Sequence, residues 1–256
     1  MLLQYLNQIK NKGSRKAFII IYKILKKPDK KTYDTPENYR PIALMNLMVR
    51  LLDKILLNRL SPIIEKAGLP AFEHNLAYKK GKSPQDVLSL ILDSLDLIKE
   101  HKLNNAACLA IDFAKAFDTL DHNYIIDLFT FMGFPNEITN FLRLRFDQTT
   151  GLLKDYPSNS KEFAITRGIP QGSALSGFLF TVCISPLLNE INQNDIIKPI
   201  KISIPALEFN FQLPKLSAFA DDLNILTNLT PNDNNDDIIE IHELKKLLII
   251  FRTCLP

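Results

Sequence analysis

Three acidic residues stand where carboxylates could carry chemistry. Asp112 directly follows the short apolar run 106–111, and the pair Asp221–Asp222 lies much later in the chain, within another apolar stretch. Carboxylates that face one another can hold two divalent cations roughly 3.5–4 Å apart, which activates an attacking hydroxyl and stabilises a leaving oxygen. Mg²⁺ suits such hard oxygen ligands and is usually shared with substrate phosphates. The three residues therefore predict a two-metal site for phosphate chemistry.

The elements around these residues must bring them together. Residues 106–111 have the continuous apolar character of a buried strand, and Leu216–Leu226 indicates a hairpin whose tip is Asp221–Asp222. If these strands are neighbours, the carboxylates meet at one edge of a sheet. Because adjacent strand residues point to opposite faces, we expect Asp221 to be the bridging ligand and Asp222 its weaker neighbour. An Asp-Asp dipeptide is also a common polar hairpin tip, but carboxylates between buried strands are costly unless something pairs them, which favours a functional role.

The remaining pattern alternates helices and strands without βαβ regularity, so the sequence predicts an α+β fold. Apolar residues at helical spacing predict one long helix after Asp112, ending at Gly133. Gly168–Ser173 predicts a turn running into a helix, with Ser173 as its N-cap and with Pro186 kinking or ending it. Other predicted elements are a strand over 17–25 and helices over 44–64, 84–99, 137–147 and 238–251.

Charge is distributed unevenly along the chain of 256 residues. Residues 1–82 hold 17 Lys and Arg against 6 Asp and Glu, a net of +11, whereas residues 83–256 hold 14 against 22, a net of −8. A basic half joined to an acidic half fits a polyanion partner beside a site that collects cations. A lysine-rich solvated surface would give the same pattern, so charge alone leaves both interpretations open.

Cysteine, histidine and hydropathy patterns limit the class of protein. Cys108, Cys183 and Cys254 are odd in number and lack Cys-x-x-Cys spacing, which favours a reducing compartment and argues against structural zinc. The four histidines show no metal-ligand spacing. No signal peptide opens the chain, and the apolar run 17–22 is too short to span a bilayer. We therefore expect an intracellular protein without a membrane partner.

Five motifs resemble those of reverse transcriptases and follow in the same order. Ala110–Asp118 resembles the first catalytic motif of that family, Gly168–Ser173 the second and Phe219–Asp222 the third. Upstream, Asn38–Asn46 and Tyr78–Ser83 resemble fingers motifs of the non-LTR retrotransposon (LINE-type) branch. Each motif alone is a moderate signal, and five in the right order are specific.

The resemblance implies a right-hand polymerase fold of the α+β class, in a single domain of 256 residues. It places the fingers at approximately 1–100 and 123–160 and the palm at approximately 101–122 and 161–256. The chain ends where the family continues into the primer grip and thumb, so we expect the thumb to be missing. The implied activity is that of an RNA-directed DNA polymerase, which uses two Mg²⁺ ions, an RNA template, a DNA primer and deoxynucleoside triphosphates (dNTPs).

The resemblance also assigns roles around the carboxylates. Asp112, Asp221 and Asp222 would be the catalytic metal ligands, and Phe113 would lend its backbone carbonyl to a metal. Phe117 falls where the family places its ribose gate, a ring that excludes the 2′-hydroxyl of RNA precursors. The same ring also fits the apolar stripe of its helix, and both roles are compatible because a gate must be rigidly packed.

Further matches concern the nucleotide and the template. Gln171 would lie against the incoming nucleotide and the template. Arg40 and Lys27 match the fingers residues that grip the triphosphate, where a guanidinium fork suits phosphate oxygens. Contacts with the template backbone, which are sequence-independent and salt-sensitive, would come from Lys79, Lys80 and Lys82.

The chain departs from the family pattern at Ala77, Ala174 and Gly177, where Gly, Pro and Pro are usual, but none of these changes removes a metal ligand. Two alternatives remain open. One is a catalytically inactive retroelement remnant that binds nucleic acid. The other keeps polymerase chemistry in another setting, such as a group II intron maturase-like protein or an RNA-templated RNA polymerase. The motif that begins at Asn38 favours the LINE-type branch, and an aromatic residue at position 117 favours DNA precursors.

Overall fold

The computed structural model describes residues 18–27, 32, 35, 38–68, 73–79, 81–147, 149–153, 162–204, 208–232 and 235–253. These residues form two compact units. The first unit comprises the described residues up to Arg59 together with Phe117–Ser176, and the second comprises Leu60–Ala116 and the described residues from Gly177 onward. The predicted boundaries of fingers and palm differ from these and stay a prediction.

Helices and strands alternate irregularly, which confirms the predicted α+β class. In the described residues the helices are α1 (Leu47–Ala67), α2 (Pro84–Glu100), α3 (Ala116–Thr119), α4 (His122–Phe131), α5 (Asn136–Asp147), α6 (Ala174–Gln193) and α7 (Ile239–Thr253). The strands are β1 (Phe18–Lys26), β2 (Tyr39–Met45), β3 (Ala106–Asp112), β4 (Thr149–Leu153), β5 (Phe163–Ala164), β6 (Lys201–Ile204), β7 (Phe209–Gln212), β8 (Leu216–Phe219), β9 (Asp222–Asn228), β10 (Pro231–Asn232) and β11 (Asn235–Ile238).

The first unit contains a mixed sheet with the strand order β2-β1-β4-β5. β1 pairs antiparallel with β2, so that Ile20 faces Met45 and Lys26 faces Tyr39, and it pairs parallel with β4. The isoleucines of β1 match the preference of strands for β-branched residues, and Ile20 is buried. The sequence pattern does not predict β4, because its first residues, Thr-Thr-Gly, lack the apolar character of a strand.

The single long helix predicted to follow the first candidate ligand is wrong, since the segment forms two helices, α3 and α4. The chain leaves helical geometry at Leu120, whose carbonyl accepts a hydrogen bond from Gly168 N at 2.7 Å. Asp121 then caps α4, because its carboxylate accepts from the backbone N–H groups of Asn123 at 2.7 Å and Tyr124 at 3.0 Å. An N-cap and a long-range hydrogen bond thus override the helical periodicity.

The second unit is built around an antiparallel sheet with the order β3-β9-β8. The β3–β9 ladder runs from Ala106 opposite Asn228 to Asp112 opposite Asp222, which confirms the predicted strand and hairpin as neighbours. β6 and β7 form a separate hairpin. The core of this region is the buried cluster Ile200, Ile202, Leu213 and Leu226.

The long apolar helix α6 is a core helix. Ser173 caps its N-terminus as predicted, since its Oγ accepts from Leu175 N at 3.1 Å. The helix continues through Pro186 to Gln193, so Pro186 does not end it. Burial on both sides of the proline outweighs the lost backbone hydrogen bond. Among the described residues α6 is the helix long and apolar enough to cross a membrane, but 78% of that apolar window is buried within the protein.

His122 connects the start of α4 to two other segments of the first unit. Its ring stacks on Phe146 of α5, with centroids 4.1 Å apart and planes 8° from parallel, and its Nε2 lies 2.8 Å from the carbonyl oxygen of Gly168. Burial lowers the pKa of His122 from its ordinary value, with the Gly168 carbonyl and two nearby aspartates opposing the shift. The fold therefore favours the neutral ring, whose Nε2–H donates to Gly168.

A neutral buried histidine makes stability depend on pH. Since the pKa of His122 is lower in the folded protein than in the unfolded chain, its contribution is fully present above pH 6.5 and is lost as the pH falls through the folded pKa. We expect the unfolding free energy of the wild type to fall with acidification more steeply than that of His122→Gln, by at most ~1.4 kcal/mol per pH unit. Urea titrations across this range measure both slopes. His74, whose pKa is also lowered, is common to both proteins and cancels. Equal pH slopes of the unfolding free energy in the wild type and His122→Gln would contradict a neutral, buried His122.

Candidate active site

Asp112 and Asp222 face each other across two strands. Asp112 is the last residue of β3, and the ladder places it directly opposite Asp222, the first residue of β9. Residues so opposed have Cβ atoms about 4.5–5.5 Å apart. Both side chains are exposed. The structure thus brings together the first candidate ligand and the residue that we expected to be the weaker neighbour, and the preference for Asp221 as bridging ligand stays a prediction.

Asp221 occupies the turn between β8 and β9 and is half-buried. Ala220, just before it, has a φ of 56°, in the left-handed region that L-residues rarely adopt. Burial raises the pKa of Asp222, and the negative charges of Asp221 and Asp112 raise it further. Asp222 is therefore close enough to both other carboxylates to be repelled by each of them.

The carboxylates suit divalent cations by their chemistry. Among the described residues, no three His, Cys, Asp or Glu side chains stand close enough to count as a metal-binding group. Directly opposed like charges destabilise a ladder, and a cation would relieve that repulsion. Carboxylate oxygens are also the ligands that hard divalent cations prefer. The residues present therefore fit such ions, while the identity of the liganding oxygens stays a prediction.

Phe113 anchors the chain beyond β3. Its ring packs edge-on against Phe180 of α6 at 6.5 Å and against Phe251 of α7 at 6.2 Å. Its carbonyl accepts a hydrogen bond from Ala116 N at 3.2 Å, where α3 begins. Because a carbonyl oxygen has two lone pairs, this bond leaves one for the predicted metal contact.

Asn75 belongs to this site, although it is not among the residues that the sequence motifs predict. Its side chain is fully buried. Its Oδ1 accepts from Ala220 N at 3.1 Å and from Ala77 N at 3.0 Å, and its Nδ2 donates to the Ala220 carbonyl at 3.0 Å. Asn75 therefore holds the turn that carries Asp221. The one available sequence signal was its position just before the fingers motif.

The ring of Tyr78 lies against Gly177. A Cβ added at Gly177 would overlap the Tyr78 ring, so a larger residue at this position would require the ring to move. Burial raises the pKa of Tyr78, and the charge of Asp221 raises it further, so the ring lies within electrostatic reach of that carboxylate.

In the first unit, Gln171 and Phe117 belong to one hydrogen-bonded cluster. The Gln171 amide nitrogen lies 3.3 and 3.4 Å from the two carboxylate oxygens of Asp118, and the Gln171 carbonyl accepts from Ala43 N at 3.0 Å. The Phe117 carbonyl accepts from Ile169 N at 2.7 Å. The structure therefore places two predicted nucleotide-binding residues on adjoining segments.

A cavity of about 370 Å³ in the first unit is bordered by this cluster. Its walls include Asp118, Gln171, Tyr22, Phe163 and Arg167. The rings of Tyr22 and Phe163 are 6.1 Å apart. Burial and the nearby charge of Asp118 raise the pKa of Tyr22 to about 12, so its hydroxyl is a neutral donor at physiological pH. The cavity lining thus combines aromatic rings with polar groups, among them the amide of Gln171.

A buried ion pair supports the turn that contains Gln171. Asp53 of α1 and Arg145 of α5 expose only 1% and 5% of their surfaces, and their Oδ1 and Nε atoms are 3.8 Å apart. Ser173 Oγ donates to Asp53 Oδ2 at 2.6 Å, and Arg145 donates to Thr149 Oγ1 at 2.8 Å. Burial raises the pKa of Asp53 and lowers that of Arg145, and their attraction opposes both shifts. The sequence signal for this network was Asp53, an acidic residue among the apolar positions of the helix predicted over 44–64.

The predicted triphosphate-binding residues lie at one end of the β1–β2 pair. Lys27 N donates to the Asn38 carbonyl at 3.0 Å, and Arg40 stands opposite Leu25 in the ladder. The backbones of the two residues are therefore near each other. The side chain of Arg40 lies outside the described part of the structure, so its role stays a prediction.

The predicted template lysines differ in environment. Lys82 is exposed, as a contact with a nucleic-acid backbone requires. Lys79 is half-buried, with its Nζ 3.5 Å from the Glu73 carbonyl. Burial lowers the pKa of Lys79, and the charges of Glu65 and Glu73 oppose the shift. Lys80 lies outside the described residues.

Comparisons with known proteins agree with the motifs. The profile of the family described as "Reverse transcriptase (RNA-dependent DNA polymerase)" matches residues 24–255. The chain is 29% identical over 197 residues to the "Retrovirus-related Pol polyprotein from type-1 retrotransposable element R2" of Popillia japonica, a match over 75% of this chain and 25% of that protein. It is 28% identical over 159 residues to the "Probable RNA-directed DNA polymerase from transposon BS" of Drosophila melanogaster, over 61% of this chain and 17% of that protein. The chain thus spans a quarter or less of these relatives.

Solved structures agree on the fold. A telomerase from Candida tropicalis, in complex with a fragment of telomeric RNA, matches 99% of this chain and 42% of its own with a TM-score of 0.55 and 15% identity. A Candida albicans telomerase matches 92% of this chain and 40% of its own with a TM-score of 0.54 and 14% identity. At these identities the likeness concerns the fold alone, and it confirms the predicted polymerase-type α+β architecture.

Repulsion among the carboxylates has a measurable cost. Asp222→Asn removes one of the opposed charges, so we expect it to raise the unfolding free energy of the cation-free protein by about 0.2–1 kcal/mol. An excess of a divalent cation should cancel this gain, because bound cation stabilises the wild type more. Urea unfolding with chelator and with added cation measures both values. The control is Asp127→Asn on the exposed face of α4, which should show neither effect. If the difference in unfolding free energy between Asp222→Asn and the wild type were the same with chelator and with added cation, this would contradict a cation site at these carboxylates.

Proposed function

The chain belongs to the reverse transcriptase family, and we propose that it is the fingers and palm of an RNA-directed DNA polymerase from a non-LTR (LINE-type) retrotransposon. The reaction is nucleotidyl transfer: a primer 3′-hydroxyl attacks the α-phosphate of a dNTP, the new phosphodiester bond forms, and pyrophosphate leaves. The proposal concerns the part of the longer relatives that this chain matches.

One observation carries the proposal: Asp112 stands opposite Asp222, with Asp221 beside them at the hairpin tip. We assign Asp112 and Asp221 as the principal ligands of two Mg²⁺ ions, Asp222 as a subsidiary ligand, and the Phe113 carbonyl as a further oxygen donor. When bound, the ions supply positive charge at the attacking hydroxyl and the phosphate oxygens. The chain itself contributes fixed oxygen positions and negative charge at one sheet edge.

The nucleotide-binding residues orient the dNTP. Asp118 holds the amide of Gln171, which fixes the face that Gln171 presents to the incoming nucleotide. The half-buried ring of Phe117 is assigned as the ribose gate because it occupies the family's gate position. The hydrogen bond from Ile169 N to the Phe117 carbonyl fixes the backbone that carries the ring. Arg40 and Lys27 are assigned to the triphosphate because guanidinium and ammonium groups suit its oxygens.

The template and primer require a sequence-independent surface. We assign an RNA template and a DNA primer as partners, with template backbone contacts from Lys82, Lys80 and Lys79. Such contacts make binding fall steeply as salt rises. We also propose an intracellular location, in keeping with three cysteines that lack any disulfide or zinc-site spacing.

Primer extension on an RNA template tests the metal assignment. Asp221→Asn removes a charged ligand, so we expect dNTP incorporation to fall by on the order of 100-fold or more, the scale of losing one preorganised electrostatic group. Template–primer affinity should stay unchanged. Asp127→Asn, an exposed aspartate in the first unit, is the matched control and should extend as the wild type does. Undiminished extension by Asp221→Asn would overturn the assignment, and template binding without extension by the wild type would favour an inactive remnant.

Nucleotide selectivity tests Phe117. Truncation in Phe117→Val opens space at the ribose 2′ position, so we expect ribonucleotide incorporation relative to deoxynucleotide incorporation to rise by roughly 10- to 100-fold. Single-nucleotide kcat/KM values for matched dNTP and rNTP measure the ratio. Phe134→Val is the control, because Phe134 packs on Phe129 at 4.9 Å in the same unit and loses the same atoms. A ratio that changes equally in both variants would contradict the gate.

A further inference from the structure

We propose that Asn75 is a positioning residue for the metal-binding hairpin: its side chain fixes the backbone of Ala220 and thereby the location of Asp221. The inference rests on the proposed function for the identity of the reaction, but the location of the hairpin is a property of the chain itself. No nucleotide or template contact is assigned to Asn75.

The hairpin tip needs external support. Phe219 pairs with Asp222, so Ala220 and Asp221 form a two-residue loop. Ala220 has a φ of 56°, and among the described residues Asp221 is not one of those with positive φ. A two-residue hairpin loop with positive φ at its first central position normally carries glycine there. Alanine in that conformation is strained, so interactions from outside the loop must favour it.

Asn75 supplies interactions with both polar groups of that alanine. Its Oδ1 accepts from Ala220 N at 3.1 Å, and its Nδ2 donates to the Ala220 carbonyl at 3.0 Å. An amide side chain can pair with a backbone N–H and a backbone C=O together only if the peptide groups are correctly oriented. The two bonds therefore specify a single backbone orientation immediately before Asp221.

The side chain of Asn75 is itself held in place. It is fully buried, and its Oδ1 also accepts from Ala77 N at 3.0 Å. The next residue, Leu76, donates from its backbone N to the Ala218 carbonyl of β8 at 2.9 Å, and Asn75 forms a parallel bridge with Ala218. The segment is thus attached to the same strand that leads into the hairpin tip. A rigid attachment of this kind transmits position, not merely stability.

Asn194 offers a matched comparison within the second unit. Its Oδ1 accepts from Ile196 N at 2.9 Å and from Ile197 N at 3.2 Å, and its Nδ2 lies 3.2 Å from Glu243 Oε1. Asn75 and Asn194 therefore each accept two backbone hydrogen bonds and donate one. Of the two, only Asn75 bonds to the turn that carries Asp221. The variant Asn194→Ala therefore measures the effect of lost stability alone.

Mn²⁺ binding measured by electron paramagnetic resonance tests the inference without relying on catalysis. Asn75→Ala should weaken Mn²⁺ binding by roughly 10- to 100-fold, the scale seen when groups that orient metal ligands are removed. Asn75→Leu, which keeps a similar volume in the buried site, should show the same loss. Asn194→Ala should bind Mn²⁺ within about twofold of the wild type, even if its unfolding midpoint falls as far.

Rescue and kinetics separate positioning from general damage. Ala220→Gly introduced into Asn75→Ala removes the strain at the turn, so it should restore part of the Mn²⁺ affinity. In primer extension, Asn75→Ala should lower kcat while leaving the affinity for template–primer unchanged. Wild-type Mn²⁺ binding by folded Asn75→Ala, or an equal loss in Asn194→Ala, would overturn the inference. Wild-type protein that binds Mn²⁺ but extends no primer would instead refute the proposed function, and the effect of Asn75 on Mn²⁺ would still be measurable.

Discussion

The structure depends on a constraint that is unfavourable by itself: like charges held face to face. Asp112 and Asp222 stand directly opposite in the β3–β9 ladder, and Asp221 adds a third carboxylate at the turn. Opposed like charges weaken a ladder, and burial and the other two carboxylates raise the pKa of Asp222. Polar clusters that reduce stability in this way are typical of functional sites, where a bound cation compensates for them.

The packing around this cluster explains how such an arrangement persists. The hairpin strands β8 and β9 are largely apolar and buried, whereas β3 is half-buried, so the hydrophobic packing of the hairpin outweighs the local repulsion at the edge. Asn75 holds the strained Ala220, and the ring of Tyr78 occupies the space that Gly177 leaves open. In the first unit, Asp53 and Arg145 hold Ser173 at the start of α6 by burying two charges, a costly device that is tolerated because each charge is paired.

Sequence reasoning succeeded where local pattern and chemistry agree. The apolar strand before Asp112 and the N-cap at Ser173 follow from periodicity and capping rules and are found. The predicted hairpin is also found, but its tip is Ala220–Asp221, one residue earlier than predicted, because Asp222 already pairs with Phe219. It failed where long-range hydrogen bonds decide, as at Leu120, whose bond to Gly168 divides a predicted helix in two. Asn75 was missed because its partner lies 145 residues away, and its position just before the fingers motif does not by itself indicate a role.

The central claim is that these carboxylates bind divalent metal at the edge of β3 and β9. Replacement of the metal by Fe²⁺ in the presence of ascorbate and peroxide generates radicals that cleave the backbone near the bound ion, and mass spectrometry locates the cuts. The account predicts Mg²⁺-suppressible cleavage near Asp112 and near Asp221, in both strands together, and its loss in Asp112→Asn. Cleavage elsewhere, or cleavage that is unchanged in Asp112→Asn, would contradict it.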